Sequence, residues 1–157
     1  MPLCIGAVVV KYATIQAKGR RMDKIREFFK RDKFAELAGI ELLEVSPGSA
    51  KAKMEIGPQH LNGIDIVHGG AIFTLADLVF AAASNSHGTV AVAINASISF
   101  IKASSGGTLF AHGREIACNP KLATYNIDVT NEAGDIVAIF QGMVYRKKDT
   151  LADVLST

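Results

Sequence analysis

The chain has 157 residues, 49% hydrophobic and 20% charged, with a formal net charge of +2. That is the length of one domain with enough apolar side chains for a core, and it excludes a disordered chain. No apolar run reaches the roughly 18 residues that a membrane span requires, so no membrane partner is expected.

Charge is unevenly spread. Residues 1–33 hold nine Lys/Arg against three Asp/Glu, whereas residues 34–157 hold eight against twelve. A mildly acidic body offers no basic footprint for nucleic acid. Cys4 and Cys118 form neither a disulfide framework nor a CxxC site, and a reducing, cytoplasmic location is the plain expectation.

Residues 1–21 include the apolar stretch CIGAVVV with no basic residue before it, a poor secretory signal. They read as a flexible extension or as a start assigned too early. From Met22 to about Leu37 one amphipathic helix is expected, with Ile25, Phe28, Phe29 and Leu37 on its apolar side and Gly39 as its stop. Ile40–Val45 and Ala50–Ile56 read as strands joined at Pro47-Gly48. In the second, Ala50, Ala52, Met54 and Ile56 alternate with Lys51, Lys53 and Glu55.

The loop His60–Gly70 leads into a helical stretch from about Ala71 to Ser84. Ile72, Leu75, Ala76, Val79, Phe80 and Ala83 form its apolar stripe, and the neighbouring face of Gly70, Phe73, Thr74, Asp77, Ala81 and Ser84 is small or polar. So little solvated surface predicts a helix wrapped by a sheet. The period then changes to 2. Val90, Val92, Ile94, Ala96, Ile98 and Phe100 are expected on one face of a long strand, with Asn95, Ser97 and Ser99 on the other. Thr108–Cys118, Leu122–Thr130 and Ile136–Tyr145 follow as further strands with hairpin links, and the residues from Arg146 onward read as a solvated end. The order predicts an α+β fold in which a curved antiparallel sheet wraps a long central helix. The domain organisation is an extension (1–21), a single domain (22–148) and a C-terminal tail (149–157).

Gly69-Gly70 at the start of the central helix can present backbone N–H groups that lack an intrahelical acceptor, with no side chain to block a ligand. Donors of this kind, backed by the helix dipole, suit a polarised carbonyl or its developing oxyanion. An ionised Asp77 on a buried helix needs either a structural partner or a chemical task. Gly69 and Asp77 are eight residues apart, about 12 Å along a helix, whereas catalytic contacts need about 3 Å. If both act on one carbon, a twofold-related subunit must bring its own Asp77 to the first subunit's Gly69, which ties an enzyme reading to a dimer. Asn62 before Gly63 can equally make an Asx turn, and His68 can order the loop through a backbone bond. The four histidines have no partners at metal-ligand spacing, so no metal is implied.

The stretch LNGIDIVHGGAIFTLAD, Leu61–Asp77, followed by FAAASNSHGTVAVAINASISFIKASSGGTLFAHG, resembles the hotdog-fold acyl-CoA thioesterases, in particular the phenylacetate-pathway group. The similarity runs in looser form from about Phe34 to Arg146, and its N-G-x4-H-G-G-x6-D pattern is the specific part. The resemblance implies a hotdog fold, a homodimer with composite active sites and a tetramer of two such dimers. It also implies hydrolysis of acyl-CoA thioesters, phenylacetyl-CoA or other aryl or short-to-medium acyl-CoAs, to free acid and CoA. Coenzyme A is then part of the substrate and no cofactor is expected.

Carried over, Asp77 falls on the catalytic carboxylate, as general base or nucleophile. Gly69 falls on the glycine whose N–H polarises the thioester carbonyl, Asn62 on the asparagine near the attacking water, and His68 on the residue supporting the loop. Gly70, Asn95, Ser97, Phe73 and Lys102 are the substrate-binding candidates. Asn95 stands where some relatives have Ser or Thr. Lys102, Lys121 and Arg146 are candidate cations for the CoA phosphates, and Phe73, Phe80 and Phe100 for the acyl pocket. The rival readings are a hotdog-fold hydratase or dehydratase using His68 and Asp77, and a non-catalytic acyl-CoA-binding protein. The LNGxxxxHGG spacing argues against the first, and retention of Asn62, Gly69 and Asp77 together against the second.

Overall fold

The computed structural model describes Gly19 and residues 22–156; the reading of residues 1–21 as an extension, Gly19 apart, lies outside them. Residues 22–29 are helical (α1), and a turn at 30–32 separates them from α2, Lys33–Leu37. The single helix expected over 22–37 is therefore two. Asp32 is the reason: its carboxylate accepts from the N–H groups of Phe34 and Ala35 at 3.1 and 3.0 Å, a side-chain N-cap that starts a new helix. Ile25 is buried as expected, but the break turns Leu37 outward to 78% exposure. Gly39, at φ +64°, ends α2 in the left-handed conformation that glycine adopts without strain.

Strands β1 (Ile40–Ser46) and β2 (Ser49–Glu55) form a hairpin, a 3-10 turn covers Pro58–His60, and the central helix α3 runs unbroken from Gly69 to Asn85. Then come β3 (Thr89–Phe100), β4 (Thr108–Cys118), β5 (Leu122–Thr130), β6 (Ile136–Thr150) and a short α4 (Leu151–Leu155). The six strands make one antiparallel sheet in the order β1-β2-β4-β5-β6-β3. Bulges in β1, β3, β4 and β6 bend it around α3. This is the curved antiparallel sheet around a helix that the residue pattern predicts.

Three local expectations are corrected. The link from β3 to β4 is not a hairpin: β3 pairs with β6 at one edge, while β4 pairs with β2 and β5. The connector crosses the end of the molecule where α3 begins, with Val67 N–H donating to Ser104 O at 2.7 Å and Ile56 N–H to Gly107 O at 2.9 Å. Second, the bulge between Ala93 and Asn95 breaks the supposed single apolar face of β3. Ala96, Ile98 and Phe100 lie opposite Gly142, Phe140 and Ala138 on the inner face, whereas Val92 lies opposite Tyr145 on the outer one. Third, the chain after Arg146 is not a free tail. Strand β6 continues to Thr150, which caps α4, and Leu151 is buried with its N–H bonded to Gly88 O.

The core is the inner sheet face against Leu75, Ala76, Val79 and Phe80 of α3. Small residues let the sheet close in, above all Gly113 beneath Val79 and Gly142 beneath the Phe80 ring. The C-terminal end of α3 is clamped by polar contacts. His87 Nε2 and Glu115 Oε2 lie 2.7 Å apart, and the Tyr125 hydroxyl donates to the same oxygen at 2.6 Å. Burial pulls the Glu115 carboxyl up, but the Tyr125 and His87 bonds and the charges of His87 and Arg146 outweigh it and hold it below its usual range.

A methyl group on Gly142 would lie 2.6 Å from Phe80 Cζ, and Phe80 is only 1% exposed, so the ring has no free space to retreat into. Gly142→Ala is expected to cost about 1–3 kcal/mol of stability, read by urea denaturation, with the midpoint lowered and the slope unchanged.

Candidate active site

The loop before α3 is tied shut at its neck. Leu61 and Val67 form an isolated antiparallel bridge, and Asn62 N–H donates to Ile66 O at 2.8 Å. Inside it, Asn62 Oδ1 accepts from the N–H groups of Ile64 (3.0 Å) and Ile66 (3.3 Å), the Asx turn open to an asparagine here. Asp65 takes the left-handed conformation at φ +58°, which Asp tolerates better than most residues. Below the loop, buried His60 accepts from Gly57 N–H through Nδ1 (2.9 Å) and its Nε2 meets Ala38 O at 3.0 Å, while its own carbonyl accepts from His68 N–H (2.7 Å). His60 thus fastens the loop to the end of α2, a role its isolated place in the sequence did not signal.

His68 is the N-cap of α3. Its Nδ1 accepts from Gly70 N–H at 2.8 Å, which leaves the hydrogen of the neutral ring on Nε2, on the exposed side. Only one of the two glycines therefore offers a free donor. Gly70 N–H is occupied, so Gly70 does not contribute a backbone donor to a ligand, whereas Gly69 N–H has no acceptor among the described residues. No acidic side chain lies in the first turn of α3 to neutralise its positive end. One side of Gly69 is closed by Phe100: a methyl group on Gly69 would lie 3.0 Å from the ring's Cζ.

Asp77 lies two turns further along the same helix, half-buried. At 1.5 Å per residue the unbroken helix sets it about 12 Å from Gly69. Burial, followed by repulsion from the Asp32 carboxylate, raises its pKa above the ordinary value of 3.8, and no hydrogen bond offsets this. Among the described residues Asp77 therefore has no hydrogen-bond or ion-pair partner. A poorly solvated carboxylate with a raised pKa is a stronger base than a free one. Asp32 acts on it because the α1–α2 break brings that cap into range, and an Asp ahead of KFAEL is an N-cap signal that the sequence did carry.

The remaining candidates are dispersed. Asn95 and Ser97 pair across from Met143 and Gln141 and are exposed on the outer face of the sheet, turned away from α3 in the same protomer. Lys102 is engaged by Asp135 (Nζ to Oδ2, 2.5 Å), and Arg146 donates to Asn119 O (2.9 Å) and Cys118 Sγ (3.1 Å). Phe73 packs edge-on against Phe140 at 5.4 Å and is half-buried at the helix surface. Phe80 sits in the core between Tyr125 and Phe140, only 1% exposed. A cavity of about 770 Å³ between α1, α2, β1 and Leu78 is bordered by neither Gly69 nor Asp77. Among the described residues no cluster of three His, Cys, Asp or Glu could hold a metal ion, and no helix is long and apolar enough to cross a membrane.

The thioesterase superfamily matches residues 65–138, which span the loop, α3 and most of the sheet. The chain is 40% identical over 137 residues to a candidate esterase of Archaeoglobus fulgidus, covering 86% of this chain and 89% of that one. It is 34% identical over 124 residues to the acyl-coenzyme A thioesterase PaaI of Escherichia coli K12, covering 78% of this chain and 89% of that one. The solved structure of E. coli PaaI, from the phenylacetic acid degradation operon, superposes with a TM-score of 0.81 at 31% identity over 85% of this chain and 97% of its own. A Streptococcus mutans protein solved bound to acetyl-CoA superposes at 0.66 with 28% identity, covering 69% of this chain and 88% of that one.

Because ionised Asp77 is destabilising in the fold, removing its charge is expected to stabilise the protein. The raised pKa means the protonated form is favoured in the folded state, so the cost grows as pH rises above about 3.8 and is fully present once folded Asp77 is ionised. Asp77→Asn should therefore raise Tm at pH 7 by scanning calorimetry, with the gain fading as pH falls through the raised carboxyl pKa and gone below the ordinary value of 3.8.

Proposed function

This chain belongs to the hotdog-fold acyl-CoA thioesterases of the thioesterase superfamily, and from that premise we propose that its site is composite, with Gly69 of one protomer facing the partner subunit's Asp77. The enzyme hydrolyses acyl-CoA thioesters to a carboxylic acid and CoA. The observation that carries the composite arrangement is the continuity of α3: with no break between Gly69 and Asn85, the oxyanion donor and the carboxylate of one protomer cannot reach the same carbon.

Three features support a twofold mate. Strand β3 is an edge of the sheet, and its backbone has no second neighbour among the described residues. Its apolar Val92, Ile94 and Phe100 are exposed. The α3 face carrying Gly70, Phe73, Thr74 and Asp77 is left partly uncovered by the sheet. A second copy docked on β3 and this face brings the two helices together, and pairing of such dimers gives the tetramer. A cytoplasmic location belongs to the same reading, since CoA esters are the substrate.

In this mechanism the thioester carbonyl accepts from Gly69 N–H at the positive end of α3, with the exposed Nε2–H of His68 beside it. The partner subunit's Asp77 takes a proton from the attacking water, or attacks the carbonyl itself to form an anhydride that water then opens; in either case the C–S bond breaks and the CoA thiolate leaves, taking up a proton to become free CoA. Asn62 is a loop former whose Oδ1 is spent on the turn, so it can meet substrate or water only through its amide Nδ2–H2. No cofactor enters these steps. The acyl group is aryl or short to medium in length, the phenylacetyl group included. For the CoA phosphates the Lys121 ammonium, which has no partner among the described residues, is the more available of the candidate cations, since Lys102 and Arg146 are already engaged.

The test is free-thiol release from phenylacetyl-, hydroxylated aryl-, short- and medium-chain acyl-CoAs. Asp77→Ala should lower kcat roughly 10²–10⁴-fold, the range for losing a positioned base, while keeping its oligomeric state. Thiol release that persists in the variant removes Asp77 from the chemistry. Tight binding of the esters without turnover by the native protein would favour a binding module instead.

A further inference from the structure

Phe100 lies against the residue that carries the free oxyanion donor. It is 54% exposed, on the last residue of β3, yet its ring lies on Gly69: a methyl group there would approach Cζ at 3.0 Å and the two Cε atoms at 3.4 and 3.5 Å. The backbone beneath the ring is held firmly. Phe100 pairs with Ala138 of β6, and Ile101 N–H donates to Val137 O at 2.8 Å. Three residues on, Ser104 O accepts from Val67 N–H, which ties the segment after Phe100 to the loop that carries Asn62 and His68. A phenyl ring therefore stands on a held backbone beside the Gly69 N–H, half in solvent in the protomer, and among the described residues no other aromatic ring stacks on it.

We propose that Phe100 is a specificity-determining residue of the thioester site, a flat wall that receives the acyl carbons next to the carbonyl held by Gly69 N–H. The inference rests on the thioesterase reading and goes past it in naming the side chain that shapes the acyl subsite. A rigid phenyl face favours an acyl group that is flat or unbranched close to the carbonyl, aryl-acetyl groups first, because ring-on-ring contact adds to the area buried. It disfavours branching at the carbon beside the carbonyl, which would meet the ring edge. The same contact makes glycine necessary at position 69, since any side chain there collides with the ring and pushes the donor out of line.

Two linked measurements test this. In the first, kcat/KM is compared for phenylacetyl-CoA and hexanoyl-CoA with native enzyme, Phe100→Leu and Phe100→Tyr. Phe100→Leu, which keeps an apolar side chain of similar bulk, should lower the aryl-to-alkyl ratio roughly tenfold, and Phe100→Tyr should restore it. In the second, Gly69→Ala should lose activity on both esters, and adding Phe100→Ala should recover it roughly fivefold by removing the collision. A ratio unchanged in Phe100→Leu, or a double variant no better than Gly69→Ala, overturns the proposal while leaving thioester hydrolysis in place. Native enzyme that releases CoA from other acyl-CoAs but from neither of these esters overturns the proposal alone, whereas release from no acyl-CoA overturns the thioesterase reading, and this inference falls with it.

Discussion

Seventeen residues of uninterrupted helix hold Gly69 and Asp77 about 12 Å apart, and most of the account follows from that separation. A shorter or broken helix could fold its own carboxylate back toward its own N-terminus. This one is built against that, with an apolar stripe packed on Gly113 and Gly142 and a C-terminal end clamped by His87, Glu115 and Tyr125. The oxyanion donor sits at one end of a rigid rod and the base partway along it, so a second rod has to complete the site. The edge strand β3 and the partly uncovered face of α3 are the surfaces on which a second copy would lie.

The polar residues of the loop divide their labour in a way that residue type alone does not reveal. Asn62 and His68 each spend one acceptor on the backbone, Asn62 to hold the turn and His68 to cap the helix. What they have left for a substrate is a donor: the Asn62 amide and the His68 Nε2–H. With Gly69 N–H this makes a donor-rich end of the molecule, suited to a carbonyl gaining negative charge. Asp77 is the opposite case, a carboxylate with no donor among the described residues, its pKa raised by burial. Function at that position runs against stability, as is common where a buried group must react.

Much of this was legible in the residues. The alternation in Leu122–Thr130 locates β5 to the residue, and the change of period after Ser86 marks the passage from helix to strand. What escaped the reading escaped for physical reasons. The β3 bulge shifts a face by one residue without altering the apolar count, so Val92 seemed to belong with Phe100. The Asp32 cap divides a stretch whose helical period continues across the break. The crossing of the β3–β4 connector is a matter of which strands pair, which the residues of the connector do not encode. Gly70 looks equivalent to Gly69 in sequence, and only the His68 ring distinguishes them. The family resemblance supplied the chemistry assigned to Asp77; composition and periodicity had left its task open.

The most direct test of the composite site is complementation between two inactive subunits. Asp77→Ala and Gly69→Ala proteins, each differently tagged, are co-expressed, and the mixed species is purified through both tags and assayed for thiol release. A mixed dimer has one site in which Gly69 of the first subunit meets Asp77 of the second, both native, so activity should return to about half the native value per dimer. Activity in the mixed dimer no greater than the mean of its two inactive parents would contradict the account, since it would mean that each subunit uses its own Gly69 and Asp77.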